Sequence, residues 1–414
     1  MRYNSIKFEK YTLDNGLRVI LHQDLSSQLV TSNLLYNVGA KDEDPDCTGL
    51  AHLFEHLMFS GTKKIPNFDT FLENVGAQNN AFTNNDFTNY YITVPPNNLE
   101  HALCAESDRM LGLSFSNSSL KIQKSVVIEE FKQIYLNQPY GDLYLLFKPL
   151  AYSVHPYRWC TIGKEISHIQ KVNITTIKDF FYSHYAPNNA ILVIAGNFDF
   201  QSIKSKINKW FGKIPYRQIK PRNYLAEPPS LIKRHLQVKR NVPSNCILIA
   251  FHMSGRKSKS FYTANLISRL LSKGFSSRLY QALVIKEKIF TKIETFLGED
   301  IDPSLFYIKG LLSDGITYSI AHKKINKELD VLCKNNVSEI ELNGAIKKNE
   351  SSILFSYVDN SCKAIDLAVG ELLGETNLVN SQISNYNNCS PKDIIDEAVN
   401  LFDDKKSISL YYGK

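Results

Sequence analysis

The segment from Gly49 to Thr62, GLAHLFEHLMFSGT, holds the pentad His-x-x-Glu-His at residues 52–56. On a helix His52 and His56 lie four residues apart, one turn along a single face. Two neutral imidazoles so placed can bind one zinc ion. Glu55 follows His52 by three residues and lies on the same side, within reach of a zinc-bound water. Zinc lowers the pKa of such a water to about 7, and a neighbouring carboxylate can take its proton as general base. The order of the letters inverts the commoner zinc-protease motif, and both orders occur in catalytic sites. With ten histidines in 414 residues, chance supplies this pentad roughly 0.01 times. The bland alternative is a pair of surface histidines on an amphipathic helix. Leu53, Phe54, Leu57 and Met58 read as the core stripe of that helix and need no functional reading.

A hydrolytic zinc needs a third protein ligand and one open position. The stretch Val126-Val127-Ile128-Glu129-Glu130-Phe131 offers two carboxylates. Adjacent residues point about 100° apart on a helix, so only one of them can face the metal. The other histidines (His22, His101, His155, His168, His184, His235, His252 and His322) have no comparable spacing.

These residues need a scaffold, and length and composition bound what it is. A chain of 414 residues is too long for one core and divides most naturally into two domains of about 200 residues. With 43% hydrophobic and 21% charged residues, disordered, collagen-like and coiled-coil classes are excluded. No apolar run reaches the roughly 18 residues of a membrane-spanning helix. The start of the chain, MRYNSIK, lacks the apolar segment and cleavage site of a secretory signal. The expected location is therefore the cytoplasm, or an organelle matrix if the chain is a mature form. Seven cysteines, an odd count without a Cys-x-x-Cys pair, point to reduced thiols rather than a disulfide frame.

The net charge of +7 is uneven: residues 204–240 hold eleven Lys/Arg against one acid, Glu227. This reads as a solvated strap, with a docking surface for an acidic partner as the sharper alternative. No aromatic-interleaved basic motif accompanies it, so nucleic acid is not expected.

Periodicity and turn residues place helices over 48–59, 98–112, 118–136 and 361–373, among others, and buried strands at 189–196 and 246–253. Two strands flank Asn84-Asn85-Asp86. Four prolines between 212 and 230 mark a boundary. The expected fold is α+β: two similar domains, each a mixed or antiparallel sheet flanked by helices. Residues 1–215 form the zinc-binding domain, 216–240 a basic, proline-containing linker, and 241–414 a pseudo-repeat without the metal motif.

With the pentad, Asn80-Ala81-Phe82-Thr83, Thr88-Asn89-Tyr90-Tyr91, Val126–Glu130 and GFSSRLYQ at 274–281 in order, the chain resembles the pitrilysin/insulinase family of inverted-motif zinc peptidases. The likeness is to the short form shared with mitochondrial processing peptidase and bacterial relatives. The resemblance implies that His52, His56 and Glu130 ligate one zinc per chain and that Glu55 is the base. It makes Asn80, Ala81, Phe82 and Thr83 an edge strand that pairs with substrate backbone, and it implies a clamshell that forms a chamber on dimerisation. Two positions depart from the family pattern. Gln123 stands where a second acid usually lies, seven residues before the third ligand. Val284 and Thr291 stand where active members carry an Arg and a Tyr that bind substrate. A sister chain supplying those two groups in a heterodimer is the expectation, with a homodimer as the alternative. The function implied is a zinc endopeptidase acting on unfolded or short peptides in an enclosed chamber. The competing reading is a catalytically impaired structural or assembly subunit of the same fold. A purely structural metal site needs no base such as Glu55.

Overall fold

Two largely apolar runs, Ala190–Gly196 and Cys246–Met253 (broken only by the half-buried His252), lie at the centres of two separate sheets. A strand buried on both faces must be apolar at every position rather than at alternate ones. The computed structural model describes residues 5–229, 232–335 and 337–414. Residues 1–4, part of the N-terminal segment read above, lie outside the described residues.

The first sheet has six strands: β1 (Glu9–Thr12), β2 (Arg18–Gln23), β3 (Val30–Tyr36), β4 (Gln78–Thr83), β5 (Thr88–Val94) and β6 (Ala190–Gly196). Their spatial order is β1-β2-β6-β3-β5-β4. β1 and β2 form a hairpin whose turn needs Gly16 at φ 86°. β2 and β6 run parallel, and the other neighbours are antiparallel. Among the described residues β4 pairs only with β5, Thr83 opposite Thr88 and Asn80 opposite Tyr91, and so forms the open edge.

The second sheet contains β7 (Arg234–Lys239), β8 (Cys246–Met253), β9 (Phe290–Leu297), β10 (Ser304–Leu312) and β11 (Ile408–Gly413), ordered β7-β11-β8-β10-β9. It repeats the motif of one parallel pair, β11 with β7, beside antiparallel neighbours. Both sheets are flanked by helices, so the chain has the α+β architecture with two similar domains.

The two compact units interleave in sequence. One comprises residues 1–132, 159–224 and 354–381, the other 133–158, 225–353 and 382–414. In the first, the Asn360–Leu373 helix lays Ala364, Leu367 and Ala368 on Ile191, Val193 and Ala195 of β6. In the second, the Leu143–Ala151 helix lays Leu143 and Phe147 against Leu248, Ala250 and Leu410. Each buried Leu, Ile, Val or Phe side chain among them contributes roughly 1.5–3 kcal/mol. Both helices are legible as amphipathic segments, but periodicity alone does not say which sheet a helix covers.

The stretch 216–240 is not all irregular: Arg234–Lys239 is β7, an edge strand with alternating burial. The surrounding basic residues are largely paired. Lys204 meets Glu9, Lys209 meets Glu100, Arg222 meets Asp42, Lys233 meets Asp404 and Arg240 meets Asp142. Among the described residues, no helix is long and apolar enough to cross a membrane.

Candidate metal centre

The pentad lies on the Leu50–Leu57 helix. Its start is tightly constrained. Gly49 has φ 87°, and a Cβ there would come within 2.4 Å of the Ile162 carbonyl oxygen, so only glycine fits. The amides at a helix start have no partner within the helix. Here Glu43 supplies one: its Oε2 accepts from Gly49 N and its Oε1 from Ala51 N, both at 2.8 Å. Glu43 is fully buried, and that burial pushes its carboxyl up to about 8 against the downward pull of the two amides. Thr48 adds a 2.8 Å contact from Oγ1 to His168 Nδ1.

The helix buries Leu50, Ala51, Leu53, Phe54 and Leu57, and the Phe54 ring stacks on Tyr185 with centroids 4.4 Å apart. With that stripe fixed inside, His52, Glu55 and His56 are left half-buried on the remaining face.

The Asn117–Phe131 helix, capped by Ser116, brings Glu130 to the two imidazoles. Glu130 Oε2 lies 3.4 Å from His56 Nε2 and 3.8 Å from His52 Nε2. One ligand atom from each of the three residues falls within 4.8 Å of the others. The two rings stand nearly perpendicular, at 81°. Burial pushes His52 down to about 4, which leaves it neutral with a lone pair available at pH 7. The hydrogen bond with His56 holds Glu130 below the usual carboxylate range. A neutral His52 nitrogen, an ionised Glu130 oxygen and a second imidazole form a donor set that suits zinc. Among the described residues His52 Nδ1 is buried without a hydrogen-bond partner, and packing rather than a carboxylate behind it orients the ring.

Glu129 points elsewhere. It is 61% exposed and pairs with Lys132 at 2.6 Å. Gln123 lies seven residues before Glu130 on the same helix, half-buried.

Glu55 is positioned by the edge strand. Its Oε2 accepts a 2.6 Å hydrogen bond from Thr83 Oγ1, and burial raises its carboxyl above the ordinary value. Thr83 therefore does more than end the strand, a contact that no sequence spacing reveals. Along β4 the backbone edge is open, and Ala81 N is covered by its neighbour's side chain, Asn80 Oδ1 at 2.8 Å. A self-covered edge amide resists unwanted pairing. Glu43 is the other contributor that sequence reasoning misses, since a lone acid six residues before Gly49 carries no motif.

In the second unit, Val284 packs against the hydrophobic core. Thr291 is exposed and donates to the Leu311 carbonyl at 3.3 Å. Arg278 is held by Glu341 through two 2.7 Å hydrogen bonds, a structural pairing.

An α+β scaffold of two similar domains, with a His-x-x-Glu-His helix meeting a carboxylate from a second helix, is an arrangement of the metallohydrolase class. Residues 18–142 match the family model for insulinase (peptidase family M16), and residues 171–349 match the model for the peptidase M16 inactive domain. The chain belongs to the M16 peptidase family. It is 29% identical over 361 residues to the zinc protease PqqE of Helicobacter pylori, spanning 86% of this chain and 81% of that protein. The crystal structure of a protease from Helicobacter pylori superposes with a TM-score of 0.94 at 26% identity, covering 99% of this chain and 100% of the other. A probable mitochondrial-processing peptidase subunit beta of Arabidopsis thaliana is 23% identical over 207 residues, 49% of this chain and 38% of that one.

Proposed function

We propose that this chain is a zinc endopeptidase acting on unfolded or short peptides, with Glu55 as general base. The observation that carries the reading is the convergence of His52, His56 and Glu130 beside a carboxylate fixed by Thr83. His52, His56 and Glu130 would hold one zinc ion. When bound, zinc supplies a Lewis acid that acidifies water and polarises a carbonyl. Glu55 has Oε2 committed to Thr83, which leaves Oε1 to accept the proton of the attacking water. The same carboxyl then returns that proton to the departing amide nitrogen, so proton and charge balance across the step. β4 would take the substrate as an added strand, gripping main chain rather than sequence. Only an unfolded or short segment can present such a free backbone.

The heterodimer belongs to the same proposal. Val284 and Thr291 offer no cationic or phenolic group, and a sister chain would supply an Arg and a Tyr. The naming of one relative as a beta subunit supports this pairing. Those same two positions, with Gln123, favour a second reading: a catalytically impaired structural or assembly subunit that keeps the fold without turnover.

The test is Glu55→Gln, assayed alone and after mixing with candidate sister chains. Zinc content should stay near one per chain while peptide cleavage falls by roughly 10²–10⁴-fold. Equal activity in variant and parent refutes the role of Glu55. A folded parent that cleaves no peptide in any mixture favours the second reading.

A further inference from the structure

The open edge carries a second feature on the face of the sheet turned away from the pentad helix. Side chains alternate along a strand. On β4, Thr83 points to the face where it meets Glu55, so Phe82, Asn80 and Gln78 point to the other face. There Phe82 packs with the cluster that includes Ala364 and Leu367 of the Asn360–Leu373 helix. Beyond that cluster a groove of about 590 Å³ remains over β5 and β4. Gln78, Asn80, Tyr91 and Thr93 form its floor, and Phe355 and Val358 stand in its wall. These two large apolar side chains are 78% and 83% exposed.

The wall is anchored at its foot. The Asp359 side chain accepts from Ser361 N at 2.8 Å. Lys363 Nζ donates to Asp24 at 2.8 Å and to Asn360 Oδ1 at 2.9 Å. Asp359 is the one charged side chain among the described residues lining the groove, and its carboxylate is already engaged in the helix cap. The groove therefore offers a neutral polar floor and an apolar wall, with its single carboxylate at the helix cap. Asn79 also lines it, so it opens directly onto the edge of β4.

We propose that this groove is a specificity subsite that seats one large apolar side chain of a peptide added to β4. The inference rests on the reading of β4 as the substrate edge. A peptide paired there sends alternate side chains to opposite faces. Those sharing the Thr83 face turn toward Glu55. Those opposite Asn80 and Gln78, about three to five residues along from Thr83, enter the groove and reach Phe355 and Val358. The preference is therefore remote from the bond cleaved and skips the intervening residue.

Binding measured without turnover separates the subsite from catalysis. The full-length Glu55→Gln chain is titrated with fluorescein-labelled peptides, identical except that one position at a time carries Phe or Gln. Phe should bind about tenfold more tightly than Gln at an alternating position, the size of a modest apolar contact. The added double change Phe355→Asn and Val358→Asn should reduce that ratio to about one. Both side chains are exposed, so the fold survives, and circular dichroism checks it. Phe355→Ala alone should give an intermediate ratio. Ile340→Asn, at a similarly exposed site in the other unit, should leave the ratio unchanged. A ratio that survives the double change, or peptides that bind with no Phe preference, overturns the subsite alone. Failure of every peptide to bind overturns the edge-strand reading and the subsite with it.

Discussion

Thr83 Oγ1 donates a 2.6 Å hydrogen bond to Glu55 Oε2, joining the open edge strand to the carboxylate proposed as base. The strand that would hold the substrate thus also orients the group that acts on it. In that reading one side chain would set the register between peptide and base. Thr83→Val keeps the shape and removes the donor. We expect kcat to fall roughly 10- to 100-fold, the scale of a misplaced catalytic group, with zinc content unchanged. Thr83→Ser should restore most of the activity. Normal kcat in the valine variant would mean that packing alone orients Glu55.

The two adjacent acids of the Asn117–Phe131 helix make an internal control. Glu130 lies against both imidazoles, whereas Glu129 is paired with Lys132 near solvent. Glu130→Gln should reduce bound zinc and peptide cleavage together, because a neutral amide is a poor substitute for an anionic ligand. Glu129→Gln should change neither, and stability should move by no more than about 1 kcal/mol, as for other exposed ion pairs. Elemental analysis of the two purified variants decides the matter. Equal zinc in both would remove Glu130 from the ligand set.

Metal removal should be visible in stability as well as activity. An ion that binds only the folded chain stabilises it by about 2.7 kcal/mol at a hundredfold excess over its Kd. Chelation should lower the melting temperature of the parent and abolish cleavage, and added zinc should restore both. His56→Ala should melt at the same temperature with or without zinc. A zinc-dependent shift that persists in that variant would place the ion elsewhere.

The legibility of this site follows from sequence distance. Both histidines and Glu55 fall within five residues of one helix, so spacing alone brings them together. Glu130 needs a second helix, and the residues alone leave it level with Glu129; the resemblance to a known family separates them. The contacts of Thr83 and Glu43 are invisible to pattern, because each depends on a tertiary approach by a residue of common type. The fold behaves similarly. The apolar runs of β6 and β8 announce themselves, while β7 is short, basic and at an edge, so it reads as part of a linker. The segment 118–136 reads as one helix, yet after Phe131 the chain widens into a π-type turn over Lys132–Leu136, a change that local propensity does not encode.

Glu43 connects the start of the pentad helix to pH. Its carboxyl is pushed up to about 8 by burial, well above the 4.5 of an ordinary exposed glutamate. Between those two values the folded chain keeps a proton that the unfolded chain has released. Stability must therefore fall as pH rises through this window: the contribution is complete below about pH 4.5 and lost on passing about 8. The full swing is on the order of a few kcal/mol, since a tenfold change in acidity corresponds to about 1.4 kcal/mol. Glu43→Gln cannot titrate. At pH 5 it should melt somewhat below the parent, because its NH₂ group cannot accept from one of the two backbone amides, a loss of about 1–3 kcal/mol. The gap should then close and reverse toward pH 9, as the parent alone is forced to bury a charge. Calorimetric melting curves across that range give the slope directly. A gap that stays constant or widens with pH would show that Glu43 is ionised throughout in the folded chain, with the amides of Gly49 and Ala51 outweighing its burial.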